Sequence, residues 1–171
     1  NIETVVELTE TVIDLKSQKG EADTSFDDEA VLDNLLAYAD QAEDLKEVVA
    51  TANESGASAN LDKLLVNADK ASDIKALTQK AKVSDVEGVG PTIYADLLDT
   101  VFENADKASD LKEVVDAFEV SQEEGTTVDV SNLLANADKT DELKKLSDEV
   151  KKIQDAGDTT AARDLFKNVA D

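Results

Sequence analysis

Carboxylates are the most abundant reactive side chains in this sequence. It carries 40 Asp and Glu against 17 Lys and Arg, with no His and no Cys. Without His and Cys there are no serine–histidine or cysteine–histidine catalytic pairs, no thiolate or imidazole zinc sites and no disulfides. A carboxylate pair of the glycosidase type remains, but the sequence singles out no two acids for the burial that would shift their pKa. We therefore predict a non-enzymatic protein without catalytic residues.

The charge balance excludes several partners. The formal net charge is −23, whereas nucleic acids and anionic membranes require Lys and Arg to neutralise phosphates. No stretch approaches the 18 apolar residues of a membrane span. Carboxylates suit Ca²⁺, and two acidic clusters, Asp27-Asp28-Glu29 and Glu123-Glu124, are the candidates. Neither has the spacing of a known calcium loop, so we predict no cofactor and no assignable metal ligand, with weak Ca²⁺ binding left open.

The acids lie in a sequence that repeats itself. Residues 35–46, 64–75, 101–112 and 133–144 match closely, and 165–171 is a fifth half-copy. Each copy has an Asp after Ala, and these are Asp40, Asp69, Asp106, Asp138 and Asp171. The approximate units are therefore 1–40, 41–69, 70–106, 107–138 and 139–171 of a single repeat array.

Each unit is predicted to contain two helices. Apolar residues recur at i, i+3, i+4 and i+7 on both sides of the Asp, which is the spacing of one helical stripe. We predict an all-α fold of two-helix repeats, 29–37 residues long, stacked as an α-solenoid or layered bundle. The predicted core comprises Leu35, Leu36, Leu45, Val48, Leu64, Leu65, Ile74, Leu77, Val101, Phe102, Leu111, Val114, Leu133, Leu134, Leu143 and Leu146.

The recurring Asp is predicted to cap the second helix of each unit. Asp40 precedes Glu43 in the D-x-x-E arrangement of a capping box, and a carboxylate there suits the helix dipole. A structural corner is the favoured interpretation, and a repeated ligand site is the alternative. Loss of such a cap, as in Asp106→Ala, is expected to cost about 1 kcal/mol.

The two ends of the sequence resemble complementary halves of one unit. Residues 1–8 have the pattern of a second helix, with Val5 and Leu8 at the places of Leu111 and Val114, and 165–171 resemble a first helix. This arrangement is typical of a segment taken from a longer repetitive protein. Heterologous ends of this kind form rings or open filaments.

Two resemblances to known families are limited in extent. About 34 residues per helix pair is similar to tetratricopeptide-type arrays, but the aromatic and Gly signature positions of that family are missing. Val86-Glu87-Gly88-Val89-Gly90-Pro91 resembles the turn of helix-hairpin-helix DNA-binding modules. Its surroundings are acidic, which favours a longer loop between units over a DNA contact.

The favoured function is structural. We predict a protein that associates with itself end to end into a filament, sheath or surface assembly, with extracellular or cell-surface localisation. The alternative is a monomeric spacer or a peptide- or protein-binding solenoid within a larger, adhesive protein. Binding hot spots favour aromatic residues and Arg, and the chain has only four Phe, two Tyr and Arg163.

Overall fold

The protein is helical throughout the described part of the chain. A computed structural model describes residues 2–19, 28–57, 59–83, 91–121, 130–158, 160–161 and 164–165. No β-strand occurs among these residues, which confirms the predicted all-α class. The nine α-helices named within them are α1 (Ile2–Lys19), α2 (Asp28–Ala37), α3 (Ala42–Ser55), α4 (Leu61–Val66), α5 (Ala71–Val83), α6 (Pro91–Glu103), α7 (Ala108–Ser121), α8 (Ser131–Ala135) and α9 (Thr140–Asp155).

Four pairs of helices are joined by the same short connection, which we call a corner. Each corner is a single turn of 3₁₀-helix, and the four turns are Ala39–Gln41, Ala68–Lys70, Ala105–Lys107 and Ala137–Lys139. Backbone hydrogen bonds close each turn, as where the Gln41 amide donates to the Tyr38 carbonyl at 2.9 Å and the Lys107 amide to that of Asn104 at 2.9 Å. The chain therefore passes from one helix to the next without a fully extended residue.

The predicted capping role of the recurring Asp is wrong. Asp40, Asp69, Asp106 and Asp138 lie inside the 3₁₀ turns, and all four are exposed. The N-cap of α3 is Gln41 and that of α9 is Lys139, neither with a side-chain capping bond. The 3₁₀ turn supplies backbone carbonyls to the first amides, so the carboxylate has no capping task, and the expected cost of Asp106→Ala no longer follows.

The Asn before the corner Ala holds the end of the first helix. The side-chain amides of Asn67, Asn104 and Asn136 donate to the carbonyls of Lys63, Thr100 and Asn132 at 2.8, 2.9 and 2.8 Å. Carbonyls in the last turn of a helix lack intrahelical partners unless a side chain or turn supplies one. The recurring Asn thus has a structural role that the sequence analysis did not assign.

Each helix packs against its counterpart in the next corner. Helices α1, α3, α5, α7 and α9 contact one another in that order, and α2, α4, α6 and α8 do the same. The two series also touch, through α1 with α2, α5 with α6 and α3 with α6. Side chains that face both a neighbour in the same series and the other series therefore form one continuous core.

The core contains almost all of the residues predicted for it. Phe102, Leu45, Leu64, Ile74 and Leu111 are fully buried, and Leu146 is partly buried against the core. The prediction that Leu36 belongs to the core is wrong, because this residue is 67% exposed. Its counterparts in the other corners, Leu65, Phe102 and Leu134, are 0% exposed. The difference shows that a neighbouring corner, and not the helix itself, buries this position.

Several predicted features lie outside the described residues. They include Asp171, most of the turn before Pro91, the Glu123-Glu124 cluster and Asp27 of the other acidic cluster. At the beginning of the chain the assignment of α1 to the second-helix pattern is supported, since Val5 and Leu8 are 6% and 2% exposed.

Replacing one leucine at two equivalent positions tests the packing. Leu65→Ala leaves a cavity in the core and is expected to lower the free energy of unfolding by about 2–5 kcal/mol. Leu36→Ala, at the same place in the first corner, is expected to change it by less than about 0.5 kcal/mol in dilute solution. Urea unfolding of both variants measures the contrast, and equal losses would contradict the packing described here.

A substitution at Ser147 is expected to raise the free energy of unfolding instead of lowering it. Its side chain is 2% exposed, and its hydroxyl has no hydrogen-bond partner among the described residues. Val49 and Val115 occupy the equivalent place in α3 and α7, both buried. Ser147→Val is therefore expected to raise the free energy of unfolding by about 1 kcal/mol, since an unsatisfied buried hydroxyl is removed. A lower melting temperature than that of the parent would refute this reading.

Candidate functional site

The described residues contain no arrangement suited to catalysis by a metal. No group of three or more acidic side chains among them is placed to hold a metal ion. Between α7 and α9 lies a cavity of about 450 Å³, lined by Glu113, Asp116, Ala117, Val120, Lys151 and Gln154. Its lining carries charges of both signs and selects no one class of ligand. The informative features are instead the contacts between neighbouring corners.

A set of equivalent lysines links each helix to the one before it. We call Lys46, Lys75, Lys112 and Lys144 the lysine ladder, because each follows the buried Leu or Ile at the fourth position of a second helix. Lys75 Nζ on α5 lies 2.8 Å from both Asp44 Oδ1 and Glu47 Oε2 on α3. Lys144 on α9 pairs in the same way with Asp110 and Glu113 on α7, and Lys46 pairs with Glu7 on α1.

Lys112 is the exception, and the sequence explains it. The acceptor that corresponds to Glu47 is Ala76 on α5, so Lys112 pairs within its own helix with Asp116 at 2.7 Å. A hydroxyl then links the two helices, because Ser109 Oγ donates to Asp73 Oδ2 at 2.6 Å. At this junction a hydrogen bond between Ser109 of α7 and Asp73 of α5 therefore takes the place of the lysine contact.

Other polar side chains repeat this register on both series of helices. Gln41 Nε2 donates to the Asp69 carbonyl at 3.1 Å, and Lys107 Nζ donates to the equivalent Asp138 carbonyl at 3.3 Å. Between first helices, Asn34 Nδ2 donates to the Val66 carbonyl at 2.8 Å. These bonds join residues 28 to 32 positions apart. These hydrogen bonds determine the position of each corner relative to the next one.

The ion pairs change the titration of the lysines. Hydrogen bonding to Asp44, and then to Glu47, raises the pKa of Lys75 above its ordinary value. The hydrogen bond to Asp110 raises the pKa of Lys144 in the same way. A different cause acts on Asp99 of α6, where burial raises the pKa although the Ala59 amide donates to its carboxylate at 3.1 Å. The lysines thus remain charged well beyond neutral pH.

At α1 the register continues but the residue types change. Glu7 accepts from Lys46 as Glu47 accepts from Lys75. The residue before Glu7 is Val6, so valine occupies the lysine-ladder position of α1. By the same count Ile13 of α1 corresponds to Glu119 of α7, whose carboxylate oxygens lie 2.5 and 2.7 Å from Lys80 Nζ on α5.

An apolar surface results, which we call the α1–α2 face. It comprises Ile2, Val6, Ile13 and Leu36, whose exposed fractions are 84, 51, 60 and 67%. At the position of Val6, Lys46, Lys75 and Lys144 contact the preceding helix, and at that of Ile13, Glu119 does so. The equivalents of Leu36 are buried. Among the described residues nothing covers this face. It therefore presents the surface that a further corner would bury.

Comparisons with known proteins give no relative. No protein-family model matches the sequence, and no curated protein or solved structure is similar to it. Within the described part of the chain, no helix combines the length and the apolar character needed to cross a bilayer.

The pH dependence of stability tests the lysine ladder. Folding raises the pKa of Lys75 above 10.5, so the folded chain holds this proton more tightly than the unfolded chain. The stabilisation is complete below pH 10.5 and is lost as the pH rises through the folded-state pKa. Lys75→Gln is expected to lower the free energy of unfolding near pH 7, and its difference from the parent should shrink at higher pH.

Lys151→Gln provides the matched control, because it removes one positive charge from an exposed position of α9. Urea unfolding at pH 7, at pH above 10.5 and in about 1 M NaCl separates the ion pair from the change in net charge. Equal losses of stability in the two variants at every pH would show that the Lys75 contact contributes nothing.

Proposed function

We propose that this protein is a non-enzymatic structural repeat protein that associates with itself end to end. In this proposal the helix pairs stack as an α-solenoid, and the chains continue the stack into a filament, sheath or surface assembly. The single observation that carries the proposal is the uncovered α1–α2 face. Two of its residues, Ile2 and Leu36, occupy positions that are buried in every later corner.

The size of the helices supports a stack in which neighbours stabilise one another. Helices α4 and α8 have 6 and 5 residues, and isolated helices shorter than about 12–15 residues are marginal in water. Such helices need a partner on each side to bury their apolar residues. An end without a partner therefore gains free energy by acquiring one.

The net charge of the chain affects the salt conditions under which copies associate and the partners that the chain can bind. A net charge of −23 opposes association between copies, but screening by salt weakens that repulsion. Contacts between apolar side chains are not weakened by screening. The same negative charge disfavours nucleic acid as a partner and suits an exposed extracellular or cell-surface assembly.

Sedimentation velocity at increasing protein and NaCl concentrations tests the proposal. The parent chain is expected to form larger species as either concentration rises, and electron microscopy should show filaments or tubes. Ile13→Glu is expected to abolish association, because it places a charge on the α1–α2 face. The variant should still fold, since Glu119 occupies the equivalent position of α7.

Val120→Glu is the matched control. Val120 is 77% exposed on α7, away from the α1–α2 face, so the same substitution should leave association unchanged. Dispersed monomers of the parent chain at all concentrations would overturn the proposed self-association. That result would favour the alternative of a spacer or binding module.

A further inference from the structure

The contacts inside the molecule show what a neighbour of each helix requires. On α3 the residues that face the next helix are Asp44 and Glu47, and on α7 they are Asp110 and Glu113. Both faces carry two negative charges, and a lysine of the ladder neutralises each of them. A helix with an apolar residue at the ladder position would leave two carboxylates without a cation, at a cost in free energy.

Helix α9 presents a different set of charges at the same positions. The residues that correspond to Asp110 and Glu113 are Glu142 and Lys145, one negative and one positive. The residue that corresponds to Lys80 is Glu149, and Lys152 Nζ of the same helix lies 2.5 Å from its Oε1. Helix α9 therefore carries no net charge at Glu142 and Lys145 together, and its Lys152 neutralises Glu149. It does not require a lysine from the next helix.

Among the described residues, the apolar surface of helix α9 is also left partly uncovered. Leu146 is only partly buried, whereas its equivalents Val48, Leu77 and Val114 are 1, 0 and 0% exposed. Ile153, two turns further along α9, is likewise partly buried. We call Glu142, Lys145, Leu146, Glu149 and Ile153 the α9 face. It offers apolar contacts bordered by charges that are already compensated.

We propose that the α9 face of a second copy is the surface that covers α1. This inference rests on the proposed end-to-end association and identifies its two partners. Val6 would lie opposite Glu142 and Lys145, where the α3–α5 and α7–α9 junctions place a lysine opposite two acids. Ile13 would lie opposite Glu149, where the interior junction between α5 and α7 places Glu119 opposite Lys80.

The junction between copies thus differs in chemistry from the junctions within a copy. Val6 of α1 replaces the lysine that α5 and α9 direct at the preceding helix, and Ile13 replaces the glutamate that α7 directs at α5. The α9 face has lost the uncompensated charges that those residues would neutralise. Each face consequently fits the other better than it fits an interior helix, which directs the copies into one head-to-tail order.

A charge-exchange cycle tests this assignment. Val6→Lys places a lysine opposite Lys145, and Lys145→Glu places Val6 opposite two carboxylates, so each single variant should weaken association about tenfold. The double variant Val6→Lys with Lys145→Glu recreates the interior arrangement of one lysine and two acids. It is expected to recover most of the parent's association constant, measured by sedimentation equilibrium.

Cross-linking provides a second readout with the same partners. The chain has no cysteine, so Val6→Cys chains can be mixed with Lys145→Cys chains and treated with a short bismaleimide reagent. Heterodimers of the two variants are expected. Chains with Glu54→Cys, an exposed position of α3, serve as the control and should cross-link only at background level.

The outcomes separate this inference from the proposed function. If the parent chain does not associate, the proposed function itself fails. If the parent associates but Lys145→Glu has no effect and Val6→Cys chains cross-link only with one another, α1 pairs with α1 and the inference is overturned. Additive losses in the double variant, with no recovery, would also overturn it.

Discussion

The structure depends on the burial of one apolar stripe per helix by neighbouring helices. None of the short helices has enough apolar surface to be stable alone, and α8 has only 5 residues. Each corner therefore obtains its stability from the corners on either side. This constraint explains why equivalent leucines differ so much in exposure, from 0% at Leu65 to 67% at Leu36. Among the described residues, α1 and α9 each contact only one other helix of their series.

The polar contacts determine which neighbour fits and in which register. Exposed ion pairs add little to stability, and the lysine ladder is partly exposed, with about a quarter of the Lys75 side chain and half of that of Lys46 accessible. At the α3–α5 and α7–α9 junctions these lysines match one positive charge to two acids on the previous helix. In a chain with only 17 basic residues, several of them are used in this way. The pattern of a lysine opposite acids of the previous helix stops at Val6 and at Lys145. We place the junction between copies at these residues.

The sequence was a good guide to the helices and to most of the core, because both follow from spacing along the chain. Periodicity locates Leu45 or Leu111 on a buried stripe, but it does not reveal whether a neighbour exists to cover Leu36. The Asp of each corner had the form of a cap, and the 3₁₀ turn that made a cap unnecessary is not visible in the residue pattern. The repeated Asn67, Asn104 and Asn136 were a signal of a structural role that spacing alone did not explain.

The candidate site was harder to predict than the fold. Lys75 and Asp44 are 31 residues apart, and only the displacement between corners brings them together. Recurrence of lysine after Leu or Ile in four units was the available signal. Val6 departs from this recurrence of lysine. The departure can be interpreted only once the structure shows that Glu7 accepts from Lys46. The proposed contact between copies thus depends on residues that depart from the repeat.

Amide hydrogen exchange at low and high protein concentration measures whether α1 and α9 are stabilised by a neighbouring copy. In dilute solution the amides of α1 should exchange faster than those of α3, α5 and α7, because α1 has one uncovered side. At high concentration α1 and α9 should become protected together, while the interior helices remain unchanged. Protection of α1 equal to that of α5 at every concentration would contradict the account, because it would mean that the α1–α2 face needs no neighbour.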